Sequence, residues 1–142
     1  MNKEIILSLE HVSKCFGSGK LKTYALKDVS ISLYEGEVLG LVGESGSGKT
    51  TLAKCIVSPR FMDQGEMTFL GKRIDTQGKK VTYLPEIQMI FQDPIASLNP
   101  RMTIYDIVAE GLYIQGIKDK KEIDRRVNEA LHKVSFLEEH KN

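Results

Sequence analysis

The sequence predicts an α/β fold, and three adjacent observations carry that prediction. Val38-Leu39-Gly40-Leu41-Val42 is a short, continuously apolar run, the pattern of a strand buried on both faces of a mainly parallel sheet. A glycine-rich turn follows it, from Gly43 to Gly48. From Lys49 the apolar residues Leu52, Ala53, Ile56 and Val57 recur at helical spacing, and Pro59 stops the run. Strand, glycine loop and helix in that order make one supersecondary unit.

The remaining elements are read around this unit. Residues 4–12 alternate loosely and predict a strand, and residues 15–23 predict a loop. In residues 24–34, Leu26, Val29, Ile31 and Leu33 alternate with polar residues, which predicts a half-buried strand bulged near Asp28. Glu35-Gly36-Glu37 is a tight turn, so the opening segment is an antiparallel β-layer. Glu66 to Leu70 predicts a short strand and Gly71-Lys72-Arg73 a turn; residues 75–86 are polar, with a lone Gly78, and predict a surface loop. Ile87-Gln88-Met89-Ile90-Phe91 predicts a second buried-type strand, and residues 92–102 an irregular stretch containing Pro94 and Pro100. Thr103 is an N-cap with Asp106 three residues on, opening a helix whose apolar stripe is Ile104, Ile107, Val108, Gly111 and Leu112. A second helix runs from Lys120 to Val134, with Ile123, Val127, Ala130, Leu131 and Val134 opposite a charged face that reads as a solvated surface.

Composition narrows the function classes. The 142 residues suit one modest domain, and 41% hydrophobic with 27% charged residues is ordinary for a soluble globular chain. A formal net charge of +1 argues against nucleic acid as the main partner. Cys15 and Cys55 are too far apart for a zinc knuckle and too few for a disulfide framework, so they read as reduced, structural thiols. No apolar run approaches the ~20 residues of a membrane span. The N-terminal Ile5-Ile6-Leu7 run is too short for a signal peptide. The expected location is cytoplasmic.

Gly43-Glu44-Ser45-Gly46-Ser47-Gly48-Lys49-Thr50 matches G-x-x-x-x-G-K-[ST] in full. Each part has a physical task. The glycines allow positive φ, so successive N–H groups turn into one concavity. The helix opening near Lys49 adds its partial positive end. Lys49 carries a full charge toward β- and γ-phosphates, and Thr50 offers a hydroxyl oxygen to Mg²⁺. A bare match could be a chance glycine turn; the strand before it and the helix after it argue otherwise. Gly17-Ser18-Gly19-Lys20 repeats part of the string, but position 14 is Lys14 rather than glycine and Leu21 follows Lys20, so it reads as a hairpin loop.

Around this loop the sequence resembles the nucleotide-binding subunits of ABC transporters. The loop variant with Ser45, Gly46, Ser47 and Thr51, and the Glu35-Gly36-Glu37 before it, are typical of that family. In Val12-Ser13-Lys14-Cys15-Phe16 the resemblance implies that Phe16 stacks on adenine; the bland alternative is an aromatic packed on the β-layer. It implies that Gln92, after Gln88-Met89-Ile90-Phe91, is a Q-loop glutamine reaching Mg²⁺ and the attacking water. The stretch from Phe91 to Thr103, with Ile107, Glu110 and Gly111 beyond, looks like the subfamily that energises import of dipeptides, oligopeptides and nickel.

The resemblance implies ATP and Mg²⁺ as cofactors. It also implies transmembrane permease subunits and a second ATP-binding subunit as partners, and a peripheral place on the inner face of the cell membrane. The implied domain plan is a partial nucleotide-binding domain. Residues 1–91 would form the β-layer and P-loop core, residues 92–102 the Q-loop, and residues 103–142 the start of a helical subdomain.

Family members continue through a signature segment, a Walker B strand, a catalytic Glu and a switch His. Asp63, Asp75 and Asp93 end no run of four apolar residues, Glu138 and Glu139 follow a helix, and His140 has no strand before it. The expectation is therefore a truncated N-terminal part that grips nucleotide and turns it over negligibly by itself. Without the later strands, Val38 to Val42 is expected to lack neighbours and to leave the chain marginally folded or sticky. The alternatives are a non-catalytic nucleotide-binding or interaction module, and a P-loop ATPase or kinase unrelated to transport.

Overall fold

The computed structural model describes residues 3–76, 84–93 and 97–134. The surface-loop reading of residues 77–83, Pro94 within the irregular stretch, and Glu138, Glu139 and His140 lie outside the described residues. The chain divides into two compact units, Met1–Met89 and Ile90–Asn142.

The first unit is built on strands β1 (Ile5–Phe16), β2 (Thr23–Tyr34), β3 (Gln64–Phe69) and β4 (Lys72–Ile74), in the order β2-β1-β3-β4. All three pairings are antiparallel. A single-turn 3-10 helix, Gly19–Leu21, closes the β1–β2 hairpin at the repeated glycine string. Arg73 pairs with Glu66 across β3 and β4. Lys72 thus opens a short strand, where a turn was expected from Gly71 to Arg73.

Two opposed bulges keep the apolar face of the hairpin in register. Leu7 and Leu9 point inward, and simple alternation would send His11 after them. Leu9 pairs with Ile31 and Val12 with Val29, so β1 carries one extra residue there. Val12 is therefore buried and His11 exposed. From Val12↔Val29 to Lys14↔Leu26 the extra residue falls on β2, beside Asp28, and Leu26 turns inward. The bulge expected near Asp28 is present.

Helix α1 (Lys49–Val57) lies against this layer through Leu52 and Cys55. These two join Leu7, Leu9, Val12, Leu26, Met62 and Met67 in one core. Burial pushes the Cys55 thiol up to about 11, so it sits there as a neutral, small apolar group. After Ser58, whose N–H bonds back to the Lys54 carbonyl, Pro59–Phe61 forms a 3-10 turn.

Two expected buried strands are not strands here. Val38 to Val42 pairs with none of the described strands, and Val38 and Val42 are 96% and 98% exposed. Ile87 to Phe91 is likewise unpaired, with Ile90 92% exposed. Their apolar composition suits a sheet interior, but a strand needs hydrogen-bonded neighbours, and the described sheet is wholly antiparallel and does not include them. The parallel sheet expected around the glycine loop is not among the described residues.

The second unit holds helices α2 (Ile104–Ile114) and α3 (Lys120–Lys133). Thr103 caps α2, accepting from the Asp106 N–H at 3.1 Å while its hydroxyl donates to the Asp106 carboxylate at 2.8 Å. Asp119 caps α3 through the Lys121 N–H at 3.0 Å. Ala109, Ile123, Val127 and Leu131 form the core, flanked by Ile104, Tyr105, Val108, Leu112 and Ile117. The sequence stripe missed Ala109 and Tyr105, and it included Ala130 and Val134, which are exposed. Tyr105 bonds to Asp124 across the two helices. On the outer face of α3, Arg125 and Arg126 converge on Glu122, and Arg125 also reaches Glu129, which is the solvated charged face expected.

Candidate functional site

The glycine loop leaves the Val38–Val42 segment and curls into α1. Gly46 and Gly48 stand at φ 80 and 95, the left-handed region that favours glycine. At Gly48 the requirement is double, because a Cβ there would overlap the Ala25 carbonyl oxygen and crowd Leu26 at 3.2 Å. The loop is thus laid directly on β2. A Cβ at Gly43 would meet the Ser47 hydroxyl at 2.7 Å, so the mouth of the turn is equally close.

Lys49 is folded back into this turn. Its ammonium donates to the Gly43 carbonyl at 2.8 Å, the Glu44 carbonyl at 2.6 Å and the Ser47 hydroxyl at 3.1 Å. The Ser47 N–H donates to the Glu44 carbonyl at 3.2 Å and closes the turn. A full positive charge is therefore fixed inside a ring of loop backbone. Beside it is a hollow of about 130 Å³ lined by Gly46 to Thr51 together with Ala25. No acidic side chain occupies the first turn of α1, so the positive end of the helix faces the hollow without a competing carboxylate. Thr50 and Thr51 line the hollow and bring hydroxyl-bearing side chains to it. Ser45, exposed like Glu44, belongs to the loop's outer rim.

These features fit a triphosphate. The turn offers N–H groups, a helix end and one ammonium to anionic oxygens, and the threonines offer hard oxygen donors of the kind Mg²⁺ takes. Among the described residues there is no separate cluster of three or more His, Cys, Asp or Glu placed to hold a metal.

Phe16 ends β1, half exposed at 46%. It pairs with Thr23 on β2, two residues before Ala25 in the wall of the hollow. Gln92 is an exposed residue of the second unit, at a bend just after Phe91. The loop residues Gly43 to Thr51 are thus brought together in one cradle, with Phe16 in the same unit and Gln92 in the other. Sequence reasoning overlooked Ala25, which had no signal beyond its small size in an alternating strand. It also overlooked the group around Phe16 formed by Lys14, Phe61 and Asp63, which are far apart in the chain.

Fold and loop together define an α/β nucleotide-binding protein of the P-loop class. Residues 26–142 match the ABC transporter family, and the chain belongs to it. It is 43% identical to the oligopeptide transport ATP-binding protein OppF of Bacillus subtilis (strain 168), over 98% of this chain and 47% of that protein. It is 45% identical to the dipeptide transport ATP-binding protein DppF of Lactococcus lactis subsp. cremoris (strain MG1363), over 95% of this chain and 45% of that one. The chain therefore spans about half the length of these curated relatives. Among solved structures it resembles the ATP-binding cassette MJ0796, described as a dimeric post-hydrolysis state bound to ADP and Pi. The TM-score is 0.75 and the identity 26%, covering 96% of this chain and 60% of that one.

Proposed function

We propose that this chain is the nucleotide-gripping part of an ATP-binding subunit that couples ATP binding and hydrolysis to peptide import through a membrane permease. The single observation that carries the proposal is the cradle. Lys49 is held by the carbonyls of Gly43 and Glu44, at the N-terminus of a helix without first-turn acids. The peptide cargo rests on the relatives' names, which are those of oligopeptide and dipeptide transport proteins. It is preferred on that ground to nickel.

In this reading the backbone N–H groups of Gly43 to Thr51 bind the phosphates. Lys49 exchanges its loop carbonyls for β- and γ-phosphate oxygens, and Phe16 stacks on the adenine. Thr50 would hold Mg²⁺, which would supply charge neutralisation at the terminal phosphates. The family resemblance assigns Gln92 the role of a Q-loop glutamine that reaches the metal and the attacking water. The partners are permease subunits and a second ATP-binding subunit at the inner membrane face, since nucleotide that binds a closed pair better than an open one shifts the pair toward closure. Among the described residues no helix is long and apolar enough to cross a membrane, in keeping with a peripheral subunit.

Binding of ATP by the 142-residue chain, followed by calorimetry, tests the grip. Lys49→Ala is expected to weaken it by about ten- to a hundredfold, the worth of a charge-assisted hydrogen bond to an anion. Equal affinity of the two proteins would sink the proposal. Turnover by this chain is expected to be negligible, because phosphoryl transfer depends on charge, metal and water positioned together. Steady hydrolysis abolished by Lys49→Ala would overturn that part.

A further inference from the structure

The aromatic at the end of β1 is held by Lys14 of the same strand and by Phe61 and Asp63, which follow the far end of α1. Phe61, in the 3-10 turn after that helix, lies with its ring centroid 6.0 Å from that of Phe16 and its plane tilted by 54°. The Lys14 ammonium sits over both rings, 4.5 Å from the Phe61 centroid and 5.6 Å from the Phe16 centroid. A lysine head group left to itself turns to water. Here Asp63 holds it in, accepting from Lys14 at 2.8 Å, and the Lys14 side chain is only 15% exposed.

Asp63 is itself stitched to β1. Its other carboxylate oxygen accepts from the Cys15 N–H at 2.7 Å, and its own N–H donates to the Ser13 carbonyl at 3.0 Å. The two hydrogen bonds to its carboxylate hold it below the usual carboxylate range, so the anion is secured.

We propose that Lys14, Phe61 and Asp63 are positioning residues for base recognition: they fix the tilt of Phe16 so that its free face receives the purine of the nucleotide. This rests on the reading of Phe16 as the adenine platform. The cation over the two rings stands at a strand end whose neighbour on β2 leads to the phosphate hollow. The arrangement also has a geometric consequence. Helix α1 has nine residues, about 13 Å of rise. Its N-terminus forms the phosphate cradle, and the turn at its C-terminus supports the base platform. One rigid element therefore sets both ends of the ligand.

The test compares affinity for ATP with affinity for inorganic tripolyphosphate, which has the charges and no base. Phe16→Ala is expected to lose about tenfold in ATP affinity, within the worth of one base stacked on an aromatic ring, and to bind tripolyphosphate as before. Phe61→Ala and Asp63→Asn are expected to show the same selective loss in smaller degree, and Phe61→Tyr to restore ATP affinity. Asp63→Asn changes no volume and so separates ring positioning from packing. If Phe16→Ala loses ATP affinity while Phe61→Ala and Asp63→Asn bind like the unaltered chain, the positioning role is overturned and the platform stands. If the variants weaken tripolyphosphate as much as ATP, they act on the fold and the proposal also fails. If Phe16→Ala leaves ATP affinity intact, the platform and its supports fall together, and the phosphate cradle remains to be judged by Lys49.

Discussion

His11 and Asp28 face each other across the β1–β2 bulges, both at positive φ, 54 and 53, where few non-glycine residues rest. Their side chains meet at 2.7 Å, and each backbone N–H is taken by a serine hydroxyl of the facing strand, Ser30 for His11 and Ser13 for Asp28. The hydrogen bond and the charge of Asp28 raise the His11 pKa above its ordinary 6.5. A raised folded-state value means that the pair's contribution is complete below 6.5 and fades as pH climbs through the raised value. Both side chains are exposed, so the expected readout is titration rather than stability. An NMR titration should place the His11 imidazole above 6.5, with Asp28→Asn bringing it down. A native His11 titrating at or below 6.5 would contradict the pairing. The alternation of Leu26, Val29, Ile31 and Leu33 announced a bulge near Asp28, but nothing local announced His11 as its partner seventeen residues away.

The helix ends were legible because their signals are local. Lys49 as the first residue of α1, Pro59 after its last turn, and Thr103 with Asp106 at the start of α2 all stand where their side-chain chemistry puts them. Capping by Thr103 satisfies an N–H that would otherwise lack a partner at the helix start. Thr103→Ala is expected to destabilise the second unit by about 1 kcal/mol. Thr103→Ser should cost much less, and loss of α2 helicity on heating is the measurement. A Thr103→Ala chain that melts with the unaltered one would show that the cap contributes nothing. Helix faces were less legible than helix ends. Ala109 is fully buried and Ala130 exposed, although both are small and helical, because burial depends on which side the partner helix covers.

At the level of the whole chain, the apolar residues divide into those with neighbours and those without. Leu9, Val12 and Met67 are fully buried in the β-layer, while Val38, Val42 and Ile90 are almost wholly open. An apolar segment with unpaired backbone invites pairing with another chain. The isolated 142-residue protein is therefore expected to self-associate as it is concentrated, with sedimentation that depends on concentration. Val42→Lys places a charge where the native side chain touches solvent. It should reduce association without loss of β-layer stability. A monomeric chain with a sharp two-state melt would sink this expectation.

The nine residues from Gly43 to Thr51 carry their meaning in their order. Positive φ, a helix start and a lysine at fixed spacing are local properties, and any fold that accommodates them produces a cradle. The capped helices and the β1–β2 hairpin share this character, since turns, caps and alternation act over a few residues. Pairing and burial do not. Whether Val38 to Val42 is a core strand or an open segment depends on the strands that pair with it, and hydrogen bonding across a sheet is not encoded in one strand alone. The support beneath Phe16 is of the same kind. Lys14, Phe61 and Asp63 meet because α1 returns the chain to the end of β1, a closure over some forty-five residues that no spacing in the sequence displays.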